Sequence, residues 1–224
     1  KITKEVFKAD ISFLNGASVN ITDTKGLTYN IRFYDHKTNQ LIWQDNISDG
    51  FWTAPSAKYF VKWRVEVWQG DTKVKEHIFN CAKKNVFIVL DSKSIGDSLA
   101  WLPYVEEFRK RHKCNIFCAT FHNDWFAKKY PNINFTNHGI PVPSLYAQYH
   151  IGWYHNENDD VDFSRNPFDF KNYPLQKTAS DILGLPYREV KPKLSTKQTT
   201  LPTNKKYVII APHGTKHSSY WHHL

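Results

Sequence analysis

Two short stretches of this chain hold the groups that chemistry would need. Ser94-Ile-Gly96-Asp97-Ser98 combines a carboxylate, two hydroxyls and a glycine at which a ligand could approach the backbone closely. A carboxylate placed there can take a proton from a hydroxyl nucleophile. It sits equally where an N-cap belongs, and capping alone would account for it. His213-Gly-Thr215-Lys216-His217-Ser-Ser gathers small, hydroxyl and basic groups, which suits a phosphate-holding loop or an ordinary polar one. His213 and His217 are four apart, but Gly214 speaks against the helix that would aim both at one metal ion. Neither stretch is a G-x-G-x-x-G fingerprint, and G-x-S-x-G, H-E-x-x-H and P-loop patterns are missing from the sequence. A dinucleotide cofactor is therefore not supported. The third candidate is the aromatic surplus, 16% of residues, including Trp52, Trp101, Trp125, Trp153 and Tyr154. Such rings stack on sugars or bases, or simply fill a core.

The elements that would position these residues change character along the chain. Residues 1–82 read as an antiparallel β domain, a small sandwich or barrel. Ala17–Thr22 alternates, and so does Leu27–Tyr34, with Leu27, Tyr29, Ile31 and Phe33 on one side. Gln40–Gln44 follows a turn, Tyr59–Trp68 is a long alternating strand, and Lys73–Phe79 returns after Gln69-Gly-Asp-Thr. Residues 83–190 read differently. Asn85–Leu90 is a continuous apolar run, as in a central parallel strand buried on both faces. The helical stripe Leu99, Leu102, Val105, Phe108 follows, ending in Arg109-Lys-Arg-His-Lys, where cations suit the helix dipole. Pro103 should kink it. Strands at Asn115–Thr120 and Asn132–Thr136 flank a short helix at Asn123–Lys129. A further strand lies around Tyr149–Tyr154, and Gln176–Leu183 is a helix closed by Gly184. Strand–helix alternation implies a parallel sheet with helices on its faces. Residues 191–224 read as a linker, Lys191–Lys206, and the first strand of a second parallel domain, Tyr207–Ala211, with the Thr215–Lys216 loop at its end.

Composition narrows the classes. The 224 residues carry a formal charge of +9, with Lys and Arg scattered rather than clustered. That favours a basic surface able to attract a phosphorylated ligand over a nucleic-acid binder. No apolar run approaches the roughly 18 residues of a membrane span. Three cysteines, an odd number, argue against a disulfide framework. Cys114 and Cys118 lie close in sequence and Cys81 apart from them, without zinc spacing. Reduced cysteines and a charged N-terminus with no apolar stretch suit a cytoplasmic protein. Met is absent altogether, so the chain is expected to start after its natural beginning or to have been processed, and the linker leading to a strand that is then cut off suggests a longer natural protein.

The run Asp91-Ser-Lys-Ser-Ile-Gly-Asp97-Ser-Leu-Ala-Trp-Leu-Pro103 resembles the Gly-Asp…Leu-Pro signature of heptosyltransferase-like glycosyltransferases, enzymes that use ADP-heptose. It also gives Pro103 a place. More closely, the chain is similar to the bacterial autotransporter heptosyltransferases, cytoplasmic enzymes that place heptose on serine hydroxyls of adhesin passenger domains. Phe13-Leu-Asn-Gly-Ala, Gln176-Lys-Thr-Ala-Ser-Asp-Ile-Leu-Gly-Leu, Lys191-Pro-Lys-Leu and Tyr220-Trp221 support the likeness, which spans this chain and about the first half of such an enzyme.

The resemblance implies an α/β fold with an N-terminal all-β domain: the Rossmann-like first half of a GT-B glycosyltransferase, ending after the first strand of the second Rossmann-like domain. It places Asp97 on the catalytic base, and Thr215, Lys216, Gly96 and Ser94 around the donor and its phosphates. Direct displacement with one base implies inversion. Relatives tend to carry Lys where this chain has Ser219, which implies either that Lys216 replaces it or that the activity is altered. Relatives bind iron through cysteines of their second half, so no metal falls to Cys81, Cys114 or Cys118. ADP-heptose and an adhesin passenger are the implied partners, with no membrane insertion and no nucleic acid, and a homo-oligomer is compatible. Residues 1–224 alone are expected to be inactive. The alternative is a non-catalytic sugar- or protein-binding module.

Overall fold

The computed structural model describes residues 7–195 together with Lys206 and Val208. The expected strand Tyr207–Ala211 and the Thr215–Lys216 loop lie outside the described residues. Alternating segments pair into two antiparallel sheets. One has the order β1-β2-β5, from β1 (Lys8–Ser12), β2 (Ser18–Thr22) and β5 (Trp52–Thr53). The other has the order β4-β3-β6-β7, from β3 (Tyr29–Asp35), β4 (Gln40–Ile47), β6 (Trp63–Gln69) and β7 (Thr72–Ile78). Tyr29, Ile31 and Phe33 of β3 are buried, and Ile31 and Phe33 lie opposite Val67 and Val65 of β6. Leu27 is not part of that face; it precedes the strand and is exposed.

The apolar run after these sheets forms β8 (Asn85–Leu90). With β9 (Asn115–Ala119), β10 (Ile133–Thr136) and β11 (Leu145–Ile151) it builds a wholly parallel sheet of order β10-β9-β8-β11. The helices α1 (Ile95–His112), α2 (Asn123–Phe126) and α3 (Leu175–Ile182) follow the expected order. They do not cover both faces. Val86, Ile88 and Leu90 face the main core with α1 and α3, whereas Phe87, Val89 and Ala119 are closed over by Phe117, Val142 and Leu145. Val142 belongs to the crossover from β10 to β11. That crossover carries no helix, so an apolar side chain on a loop closes that face.

The structure redraws other expectations. β6 begins at Trp63, not at Tyr59. Phe60 instead donates its N–H to Ile182 O (2.8 Å), so residues before Trp63 bond to the end of α3 rather than to a strand. The strand expected at Tyr149–Tyr154 begins and ends earlier, because its pairing with β8 runs from Leu145 opposite Asn85 to Ile151 opposite Leu90. α1 continues as one helix on both sides of Pro103, whose ring is buried. The linker expected at Lys191 is docked at its start: Lys193 N–H reaches Tyr130 Oη (3.1 Å) and Ser195 N–H reaches Trp125 O (2.7 Å).

One buried cluster joins the antiparallel sheets to the parallel sheet. Phe60 is its hub, with ring centroids 5.6 Å from Phe79 and Phe108 and 6.0 Å from Tyr149. Phe13 packs on Phe79 (5.0 Å), and its backbone bridges Ala147, covering the outer edge of β11. Cys81 meets Cys114 across this junction, and all three cysteines are free and buried. The bond to Cys81 and burial push the Cys114 thiol up, and burial alone does so for Cys118.

Two predictions follow from this junction. Gly184 ends α3 with φ +61°, and an added Cβ would lie 2.3 Å from Phe60 Cδ1. Gly184→Ala therefore combines a left-handed strain with overpacking, and denaturant unfolding should show a loss of about 2–4 kcal/mol. His112 lies against Phe108 and Phe60 (4.3 and 4.9 Å), with Nε2 buried and unpartnered among the described residues. Burial, helped by Arg111, Lys37 and Lys62, pushes its pKa down to about 4. An imidazole depressed in the folded state stabilises fully above its unfolded value of 6.5 and loses that contribution as pH falls toward 4. Allowing for partial solvent access, the loss should be about 2 kcal/mol. Melting scans from pH 7 to 4 should show it, and His112→Leu should flatten the slope.

Candidate functional site at the carboxyl ends of the parallel strands

The strand order reverses between β8 and β11: from β8 the chain proceeds to β9 and β10 on one side, then returns to β11 on the other. Loops leaving the two strands must diverge there, and ligands bind in the crevice this opens. Every strand delivers a polar or aromatic group to that end. β8 leads into Asp91–Asp97, β9 into Phe121 and His122, β10 into His138, and β11 into His150 and Tyr154. Asn123 ties two of the strand ends together, accepting from Thr120 N–H (2.9 Å) and donating to Thr136 O (2.8 Å).

Asp97 is not the N-cap of α1. Ser94 is, and it makes no side-chain capping bond; Asp97 lies in the first turn. Its carboxylate instead accepts from Ser92 Oγ (2.6 Å), which itself receives the Ser94 N–H (3.1 Å). The residue is 7% exposed, beside the exposed turn Ser94–Gly96. A carboxylate in a first helical turn is favoured by the dipole, and here one oxygen is fixed by a neighbouring hydroxyl. Gly96 has only Ser94 Oγ, at 3.7 Å, near a virtual Cβ. The fold does not require glycine at that position, which leaves its backbone open to a ligand.

Trp101 lies one turn after Asp97 on the same face of α1. It is buried, donates Nε1–H to Leu175 O (3.0 Å), and meets the edge of Trp153 (6.1 Å). Trp153 is 49% exposed and stacks on Phe170 with an interplanar angle of 11°. An aromatic shelf thus stands beside the buried carboxylate. The corner that carries it is fixed by Asn166, 2% exposed, which donates to Gly152 O and accepts from Tyr154 N–H, both at 3.0 Å.

Asp91 and His150 carry no expected role from sequence. Asp91 Oδ2 accepts from Tyr154 Oη (2.6 Å) and His150 Nδ1 (2.7 Å). Burial pushes the Asp91 pKa up, but the bonds from His150 and Tyr154 outweigh it and hold the carboxyl below its ordinary range. Burial and the Asp91 charge push Tyr154 up, so it stays a donor. Asp91 was within reach of the strand-end rule that pointed to Asp97. His150 was not, because it lies inside β11 rather than beyond its carboxyl end.

Of the expected site residues, Ser94, Gly96 and Asp97 come together at this mouth, while Thr215 and Lys216 lie outside the described residues. A separate cleft lined by Tyr104, Glu107, Arg111 and Arg188 sits toward the other end of α1 and includes neither carboxylate. Among the described residues no group of three His, Cys, Asp or Glu could hold a metal ion. No described helix is long and apolar enough to cross a membrane.

No family model matches the sequence. Curated relatives do. The autotransporter heptosyltransferase BAHTCr of Citrobacter rodentium is 30% identical over 214 residues, 93% of this chain and 50% of the relative. The autotransporter heptosyltransferase TibC of Escherichia coli is 29% identical over the same shares. BimC of Burkholderia thailandensis, described as an inactive autotransporter heptosyltransferase, is 24% identical over 86% of this chain and 45% of its own length. The crystal structure of TibC, an iron-containing dodecameric glycosyltransferase from enterotoxigenic E. coli, superposes with a TM-score of 0.85 at 28% identity, covering 96% of this chain and 55% of TibC. A second TibC structure, with ADP-D-β-D-heptose, gives 0.84. The chain spans about half the length of the curated relatives it matches. By sequence over 93% of its length and by fold over 96%, this chain is a relative of the autotransporter heptosyltransferases.

Proposed function

We propose that this chain is the acceptor-side half of a GT-B glycosyltransferase that moves heptose from ADP-heptose to serine hydroxyls of an autotransporter adhesin in the bacterial cytoplasm. In this reading residues 1–82 are a β domain, 83–190 the first Rossmann-like domain, and 191–224 lead into the second. The observation that carries it is the buried Asp97 carboxylate, held by Ser92 rather than spent on capping, at the point where the parallel strand order reverses. A serine hydroxyl is a weak nucleophile at neutral pH. Asp97 takes its proton as the oxygen attacks the anomeric carbon, and the bond to the ADP phosphate breaks with its electron pair leaving on ADP. A single displacement inverts the anomeric centre. Ser94, Gly96 and the first N–H groups of α1 offer donors on one side of the sugar nucleotide. The Thr215–Lys216 loop supplies cationic and hydroxyl donors to the departing phosphate. TibC's description as dodecameric supports a homo-oligomer for the complete protein.

The second reading, a sugar- or protein-binding module without turnover, is favoured by the relative described as inactive. Asp97→Asn separates the two. Asn keeps the shape and can still accept from Ser92, but cannot take a proton at pH 7. In the complete enzyme, transfer of labelled heptose to an adhesin segment should fall at least about 100-fold with an unchanged melting temperature. Retention of more than about a tenth of the rate would remove the base role. Gly96→Ala should do the opposite to stability: helix propensity should raise it by up to about 1 kcal/mol, while the added methyl lowers transfer. Residues 1–224 alone should show no transfer in the same assay.

A further inference from the structure

Asp97 is not the only carboxylate at the mouth, and glycosyl transfer as described leaves Asp91 without a task. Asp91 is the first residue beyond β8, and its N–H makes the last bond across to β11, to Ile151 O at 2.9 Å. Its side chain is held by an assembled set of groups. Tyr154 and His150 both donate to Oδ2, and the second nitrogen of His150 meets the Gln148 amide at 2.6 Å. Tyr154 reaches Asp91 because its ring folds back over Gly152, where a virtual Cβ would be 2.9 Å from Tyr154 Cζ and Oη, and because Asn166 fixes the corner. An ordinary surface ion pair has no such support and contributes about 0–1 kcal/mol.

Both donors fall on one oxygen. Oδ1 takes no bond from either, and the Asp91 side chain is 31% exposed. Among the described residues Oδ1 therefore keeps its lone pairs unused, on a partly exposed side chain that is fixed at its other oxygen and stands at the end of the strand leading into Asp97. It repels a phosphate and offers nothing to an apolar group, but it accepts strongly from a hydroxyl. We propose that Asp91 Oδ1 receives a hydroxyl of the transferred sugar, selecting the sugar and turning its anomeric carbon toward Asp97. His150 and Tyr154 are positioning residues for that oxygen. This inference rests on the glycosyl-transfer reading, so its test reads binding and needs no turnover.

Calorimetry on the complete enzyme compares ADP-heptose with ADP for wild type, Asp91→Asn and Tyr154→Phe. Asp91→Asn is isosteric and keeps a carbonyl oxygen for His150 and Tyr154, while an NH2 group replaces Oδ1. Its affinity for ADP-heptose should fall at least about tenfold, the loss of a hydrogen bond to a charged group, with ADP affinity changed less than about threefold. Tyr154→Phe removes one of the two bonds that position Asp91 but leaves Oδ1 and the His150 bond in place, so its loss should be smaller, less than about threefold for ADP-heptose, with ADP unchanged. Equal weakening of both ligands by Asp91→Asn, no weakening, or an equal loss in Tyr154→Phe would overturn the assignment and leave the transfer reading standing. A wild-type enzyme that does not bind ADP-heptose would overturn both.

Discussion

The placement of β8 between two parallel neighbours governs the rest of the structure. A strand in that position is covered on both faces, which is why Val86–Leu90 is apolar throughout. Because the chain leaves it toward β9 and comes back to it at β11, the connections at its carboxyl end must part. Asp91, Ser92 and Asp97 occupy the gap that this topology makes. The chemistry of the site is thus a consequence of strand order: the same residues after an edge strand would face open water on one side, without His150 and Tyr154 arriving from β11.

Among the described residues the parallel sheet is held against the antiparallel sheets by aromatic rings rather than by ion pairs. Phe13, Phe60, Phe79, Phe108 and Tyr149 are all buried, and each such ring contributes about 1.5–3 kcal/mol through burial. Edge-on contacts such as Phe60–Phe79 and Phe60–Phe108 add about 0.5–1.5 kcal/mol each. The hub also reaches the site. Phe60 bonds to the end of α3, α3 packs on α1, and α1 carries Asp97 and Trp101. Rigid support of this kind is what a buried proton acceptor needs, since an error of an ångström in its placement can cost about 100-fold in rate.

Sequence periodicity revealed much of this, for physical reasons that also mark where it stopped. The change from alternating to continuous apolar runs separated antiparallel from parallel strands, and the cations Arg109, Lys110 and Arg111 marked the end of α1. Capping chemistry misassigned Asp97, because an Asp three residues into a helix and an Asp at its N-cap look alike without the position of Ser92. The alternation through Tyr59–Trp68 overextended β6, since Phe60 is buried by a contact with α3 more than a hundred residues away. The Asp91–His150–Tyr154 set joins residues from opposite sides of the strand-order reversal, and no local pattern encodes that meeting. Lys193 and Ser195 read as a linker because their bonds are made by backbone N–H groups, which leave no signature in side-chain type.

The account as a whole claims that a sugar sits between two carboxylates at the mouth of β8. A crystal structure of the complete protein with ADP-heptose measures this directly. A sugar hydroxyl should lie about 2.6–3.2 Å from Asp91 Oδ1, with the anomeric carbon facing the Asp97 carboxylate across the space for an acceptor oxygen. A sugar bound with neither carboxylate in reach, for instance against the Tyr104–Arg188 cleft, would contradict it.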